Sequence, residues 1–156
     1  MKEEYKFLNQ QLQSLIKEET REITILANTA ALLNETLPKI NWVGYYLYEQ
    51  KEDILYLGPF QGKPACTTIP MGKGVCGTAA EKLETITVDN VHHFPGHIAC
   101  DSASNAEIVI PISVGGKLYG VLDIDSPIFN RFDEEDREVL ENFVLHLEKR
   151  LTTILT

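Results

Sequence analysis

The sequence predicts an α+β domain, with a central, mainly antiparallel sheet and the N- and C-terminal helices packed on one side. Three observations lead there. Amphipathic segments stand at both ends of the chain. Aromatic and β-branched runs between them are joined by short polar or glycine turns, which make hairpins and therefore antiparallel pairs. No regular strand–helix alternation of a parallel sheet runs through the chain.

Residues 3–18 have Tyr5, Leu8, Leu12, Leu15 and Ile16 at helical spacing, with Lys, Glu and Gln between them. Residues 21–36 predict a second helix, with Ile23, Ala27, Ala30, Leu33 and Leu37 on one stripe and Pro38 as its stop. Both suit packing or dimerisation rather than chemistry. The run 41–48, NWVGYYLY, reads as a strand. Alternation puts Trp42, Gly44, Tyr46 and Tyr48 on one face and Val43, Tyr45 and Leu47 on the other. Ile54 to Phe60 completes a hairpin, and Thr67 to Pro70 a short strand. Gly72-Lys73-Gly74 is a turn into a helix over Val75 to Leu83, and Thr85 to Val88 a further short strand.

Residues 89–105 carry no periodic pattern. A stretch that long without structure is unusual in a compact domain and is usually functional. The strands Ala106 to Val114 and Lys117 to Asp125 meet at Gly115-Gly116. Register decides which faces their acids occupy. A two-residue loop pairs Val114 with Lys117 and sets Glu107 opposite Ile124, away from Asp123 and Asp125. A three-residue loop pairs Ser113 with Lys117, sets Glu107 opposite Asp123 and unites the three acids. The second register is the expectation. Pro111 cannot donate to the ladder, so an irregular or half-unpaired strand is expected there. Asp133 is the expected N-cap of the last helix, whose stripe is Leu140, Phe143, Val144, Leu147, Leu151 and Ile154.

The 156 residues, 44% hydrophobic and 24% charged, fit one domain with a proper core. The net charge of −9 argues against nucleic acid and anionic membrane as partners. No run of about 18 apolar residues suggests a membrane span. The N-terminus lacks the apolar core of a signal peptide, so a cytoplasmic protein is expected. In a reducing compartment, the three cysteines suit catalysis or metal binding better than a structural scaffold.

All three cysteines, Cys66, Cys76 and Cys100, fall between residues 66 and 107, together with His92, His93, His97 and Glu107. Sulfur redox chemistry is the natural reading. Cys76 sits at a helix start, where open N–H groups lower a thiol pKa; Cys100 lies in the long loop and has the better access. Carboxylates held as close as Glu107, Asp123 and Asp125 cannot all ionise cheaply. One must keep its proton or a cation must sit among them, which suits a pocket binding an ammonium. Trp42 and Tyr46 could wall an apolar slot for a methyl or thioether group, although from the residues alone ordinary core packing is the better explanation. Zinc held by the cysteines and a histidine is the competing reading. Its spacing is poor, since there is no Cys-x-x-Cys or His-x-His pair.

The motifs NWVGYY, QGKPAC, GKGVCG, FPGHIACD, Glu107 and YGVLDIDSP resemble those of the free methionine-(R)-sulfoxide reductases, enzymes of the GAF fold. The likeness runs from about Asn41 to the last helix. It implies a single GAF domain over residues 1–156 that reduces free L-methionine (R)-sulfoxide without a cofactor or metal. It implies Cys100 as nucleophile, Cys66 as the resolving thiol that forms a disulfide with it, and Cys76 as an auxiliary thiol. Trp42 and Tyr46 would pack on the methylthio end. Glu107 and Asp125 would lie near the sulfoxide oxygen and Asp123 near the ammonium, with backbone N–H groups of the cysteine loops on the carboxylate. Thioredoxin as reductant and a homodimer are also implied. A GAF-type ligand or redox sensor without turnover is the alternative.

Overall fold

The computed structural model describes residues 1–98 and 100–156, so Ala99 of the long loop lies outside the described residues. A short 3-10 turn at Glu3–Tyr5 leads into α1 (Leu8–Ile16) and α2 (Glu22–Thr36). Strands β1 (Trp42–Glu49), β2 (Ile54–Gly62) and β3 (Thr68–Pro70) follow, then α3 (Gly74–Lys82) and β4 (Ile86–Val88). The long loop holds one 3-10 turn, Val91–His93, before β5 (Ala106–Val114), β6 (Lys117–Ser126) and α4 (Glu134–Leu155). The sheet order is β3-β2-β1-β6-β5-β4, and every pairing is antiparallel. No helix among the described residues is long and apolar enough to cross a membrane.

One sheet face packs on the terminal helices. Val43, Tyr45, Ile108, Ile110, Ile112, Leu122 and Ile124 meet Leu12 of α1, Leu26 and Leu33 of α2, and Leu140, Phe143 and Leu147 of α4. Burying such apolar area is the main stabilising contribution to the fold. The α2 stripe differs from expectation: Ile25, Leu26, Thr29, Ala30 and Leu33 are buried, while Ile23 is 69% exposed. A polar residue turns the helix this way. The Thr29 hydroxyl lies 2.7 Å from the Tyr45 hydroxyl and donates to the Ile25 carbonyl, so its burial is satisfied. Asp133 caps α4 as expected, through a capping box: it accepts from the Asp136 N–H, and Asp136 accepts from the Asp133 N–H.

The β5–β6 register corrects the expected one. Gly115 and Gly116, both at positive φ, form a two-residue turn pairing Val114 with Lys117. One extra residue on β6, Tyr119, then shifts the ladder between Ile112 and Ser113, so that Glu107 pairs with Asp125 and Val109 with Asp123. The bulge takes its place where Gly120 lets β1 approach. A Cβ there would stand 2.3 Å from the Tyr46 carbonyl oxygen. Tyr119 turns toward the helices and donates its hydroxyl to Glu22. A tight turn plus a bulge restores the same facing as the expected longer loop, so the three acids do share a face. Pro111 lies beyond the end of β4, whose pairing stops at Val109, and is half-unpaired as expected.

Candidate functional site

The site lies on the other sheet face. Register alone aligns its floor: Trp42 stands opposite Asp125, which stands opposite Glu107, and Gly44 opposite Asp123. Helix α3 covers this face and brings Cys76 over the acids. The loop carrying His97, Cys100, Asp101 and Ser104 forms the other wall. The cavity between them is partly open and holds about 40 Å³, enough for water-sized occupants. Trp42, Tyr46, Cys76, Cys100, Glu107, Asp123 and Asp125 all line it.

Cys66 and Cys100 are joined in a disulfide, with 5.4 Å between their Cα atoms across 34 positions of sequence. The pair named by resemblance is thus the bonded pair. In this state two of the thiols of the zinc arrangement are bonded to each other. Trp42 and Tyr46 do more than line the cavity. Trp42 Nε1 donates to the Lys63 carbonyl at 3.1 Å, and the Tyr46 hydroxyl donates to the Cys66 carbonyl at 2.9 Å. Trp42 also stacks between Tyr46 and Phe60, with ring centroids 5.9 and 5.1 Å away. The aromatic face therefore anchors the segment that presents Cys66.

The acids are short of partners. Glu107 and Asp123 are 8% and 5% exposed, and among the described residues Oδ1 of Asp123 and of Asp125 accept no hydrogen bond. No salt bridge among the described residues reaches any of the three. Burial pushes Glu107 well above the carboxylate range, and the neighbouring Asp123 and Asp125 charges push it further. Asp125 is raised well above its ordinary value by burial and then by Asp123. Asp123 is raised by burial although its neighbours' hydrogen bonds oppose the shift. Such a cluster holds shared protons and presents bare oxygens, so it can donate to a developing oxyanion and accept from an ammonium.

Cys76 reverses the electrostatic expectation. It does occupy the first turn of α3, but it is 4% exposed and its Sγ donates to Glu107 Oε2 at 3.9 Å. Burial, then the charges of Asp123, Glu107 and Asp125, push the thiol well above its ordinary value, and they outweigh the helix end. Sγ of Cys76 and carboxylate oxygens of Glu107 and Asp123 lie within 4.8 Å of one another, the one such group with metal-ligand spacing among the described residues. His97 lines the cavity, held below its usual value by burial and by His92, while His92 Nε2 lies 2.9 Å from Asn105 Oδ1.

Sequence reasoning missed Asn41, Asp101 and Ser104. The Asn41 side-chain amide donates to Asp101 Oδ2 at 3.0 Å and to Ser104 Oγ at 3.1 Å. Asn41 opens the NWVGYY motif, which was a visible signal; nothing local singles out Ser104.

The GAF domain family profile matches residues 11–151. The chain belongs to the GAF domain family. Within that family it is similar to the "Free methionine-R-sulfoxide reductase" of Escherichia coli, 52% identical over 149 residues, covering 96% of this chain and 89% of that protein. The reduced form of fRMsr of Staphylococcus aureus superposes with a TM-score of 0.91 at 56% identity, covering 94% of each chain. The free methionine-R-sulfoxide reductase from Neisseria meningitidis, in complex with its substrate, superposes at 0.93 with 45% identity, covering 96% of this chain and 89% of that one. The expected GAF fold is therefore found, and the sheet with terminal helices on one side is its architecture here.

Proposed function

We propose that this chain, acting as one GAF domain, reduces free L-methionine (R)-sulfoxide to L-methionine. The observation that carries the reading is the Cys66–Cys100 disulfide, whose Cys100 lines the same cavity as the three clustered carboxylates Glu107, Asp123 and Asp125. The similarity to enzymes named for this reaction, one of them with its substrate bound, supports it.

Reduction of a sulfoxide needs two electrons and protons on its oxygen, because an oxide dianion cannot leave. The Cys100 thiolate attacks the sulfoxide sulfur. A sulfur–sulfur bond to the substrate forms as Glu107 and Asp125 protonate the oxygen, which leaves as water. Water then attacks Cys100 Sγ and gives up a proton, the sulfur–sulfur bond breaks, methionine departs with that electron pair, and Cys100 is left as a sulfenic acid. The Cys66 thiolate then attacks Cys100 Sγ and displaces hydroxide, which leaves as water. The sum is sulfoxide plus two thiols giving thioether, disulfide and water, and the Cys66–Cys100 bond supports this pairing of thiols. Asp123 takes the substrate ammonium through its unpartnered Oδ1. Trp42 and Tyr46 bound the methylthio end, backbone N–H groups of the cysteine loops hold the carboxylate, and Cys76 serves as an auxiliary thiol. Thioredoxin recycles the disulfide in the cytoplasm, and the working form is a homodimer.

The deciding experiment follows methionine formation from the (R) and (S) epimers, with thioredoxin or a dithiol as reductant. Turnover of the (R) epimer alone is expected. No turnover of either epimer by protein with reduced cysteines would replace this reading with ligand sensing.

A further inference from the structure

We infer that Asn41 is a positioning residue that sets Cys100 against the acid floor, an inference that rests on Cys100 being the nucleophile. Three observations meet at this side chain. Its backbone N–H donates to the Asp125 carbonyl at 2.9 Å, which fixes it to the strand that carries two of the acids. Its side-chain NH2 bridges Asp101 Oδ2 and Ser104 Oγ, on the residue after Cys100 and at the end of the same turn. Its Oδ1 is buried and has no hydrogen-bond donor among the described residues.

The unpartnered oxygen shows what the side chain is for. A buried amide oxygen without a donor is costly, and turning the amide over would set that oxygen against the Asp101 carboxylate. The orientation is therefore dictated by the two acceptors on the Cys100 loop. Asp101 is a well-made peg for this socket. Its Oδ1 accepts from the Ala103 N–H at 2.9 Å and its carbonyl accepts from the Ser104 N–H at 3.2 Å, so the turn after Cys100 is built on it. When the Cys66–Cys100 disulfide is reduced, the holds that remain besides Asn41 include ones further along: the Val91 N–H donates to the Asn105 carbonyl, and the Asn105 N–H donates to the Ser126 carbonyl. Asn41 is thus a side-chain bridge between the acid strand and the turn that follows Cys100. A nucleophile displaced by about 1 Å loses on the order of 10²-fold in rate.

The test is a double-mutant cycle on the full chain with Asn41→Ala, Asp101→Ala and the double variant, reading kcat, KM and the rate of Cys100 alkylation in reduced protein. Each single variant should lose on the order of 10²-fold in kcat with KM within a few fold. The double variant should be no slower than the worse single one, because both cut the same link. Multiplying losses in the double variant, or an unchanged kcat in folded Asn41→Ala, would overturn the inference. If Asn41→Ala does not fold, Asp101→Ala cuts the link from the other side, and an unchanged kcat there is equally fatal. Turnover by Cys100→Ser would instead remove the reductase reading, so the two failures can be told apart.

Discussion

The two faces of one sheet differ in kind. The helix face carries Val43, Tyr45, Ile108, Leu122 and Ile124, and its buried polar contacts, Thr29 with Tyr45 and Tyr5 with Asp136, are satisfied. The opposite face, offset by one residue along the same strands, carries Trp42, Tyr46, Glu107, Asp123 and Asp125, with unpartnered oxygens on both aspartates. The first face stabilises the fold by burying apolar area. The second retains acids in a place where ionisation is disfavoured, and so stores proton affinity at the expense of stability. Chemistry and scaffolding are separated by the two-residue period of a strand.

Substitutions should respect that division. The largest effect is expected at Cys100: Cys100→Ser should abolish sulfoxide reduction in a protein that melts normally, and multiple turnover by it would break the comparison. Cys66→Ser should form about one methionine per chain and then stall, measured as a burst without steady turnover. Asp125→Asn and Glu107→Gln should each slow turnover about 10²–10⁴-fold, the usual range for a positioned acid.

The acids also give pH a sign. Glu107 and Asp125 are raised in the folded chain, so the native state holds their protons at pH values where the unfolded chain has lost them. Their contribution to stability is fully present below the ordinary carboxylate pKa and is lost as pH rises through the raised values. Activity that depends on the protonated acid should fall over that same upper range. Asp125→Asn should therefore melt higher than the parent at neutral pH, with the gap closing in acid. A gap that widened in acid would remove the stored-proton account.

On the helix face the expected effects move from rate to stability. Leu122→Ala should cost about 2–5 kcal/mol in chemical denaturation while turnover per folded molecule stays unchanged. Asp133→Ala, which removes the α4 cap far from the acids, should cost about 0.5–2 kcal/mol, the smallest effect of the series.

Much of this was legible before the structure. Alternation in NWVGYY and in LYGVLDIDS placed Trp42 with Tyr46 and Asp123 with Asp125, because a strand's period is a local property. Asp133 was readable as a cap for the same reason, since its partner, the Asp136 N–H, lies three residues on. The α2 stripe was misread because Thr29 is polar in sequence and becomes a core residue only beside Tyr45, 16 positions away.

The sequence by itself determined the order of elements, the facing of each strand and, through its motifs, the family. It placed helices, turns and caps to within a few residues because the forces that make them act over a few residues. Tertiary structure alone decided three things. It decided that Glu107 meets Asp125 rather than Asp123, through a bulge at Tyr119 that depends on a close approach to β1. It decided that the Cys76 thiol is pushed above its ordinary value, because burial, and then carboxylates from two other strands, outweigh its own helix end. It decided that Asn41 holds the Cys100 loop, across 60 positions of sequence. Burial, long-range pairing and charge proximity are properties of the assembled chain, and no local window of sequence contains them.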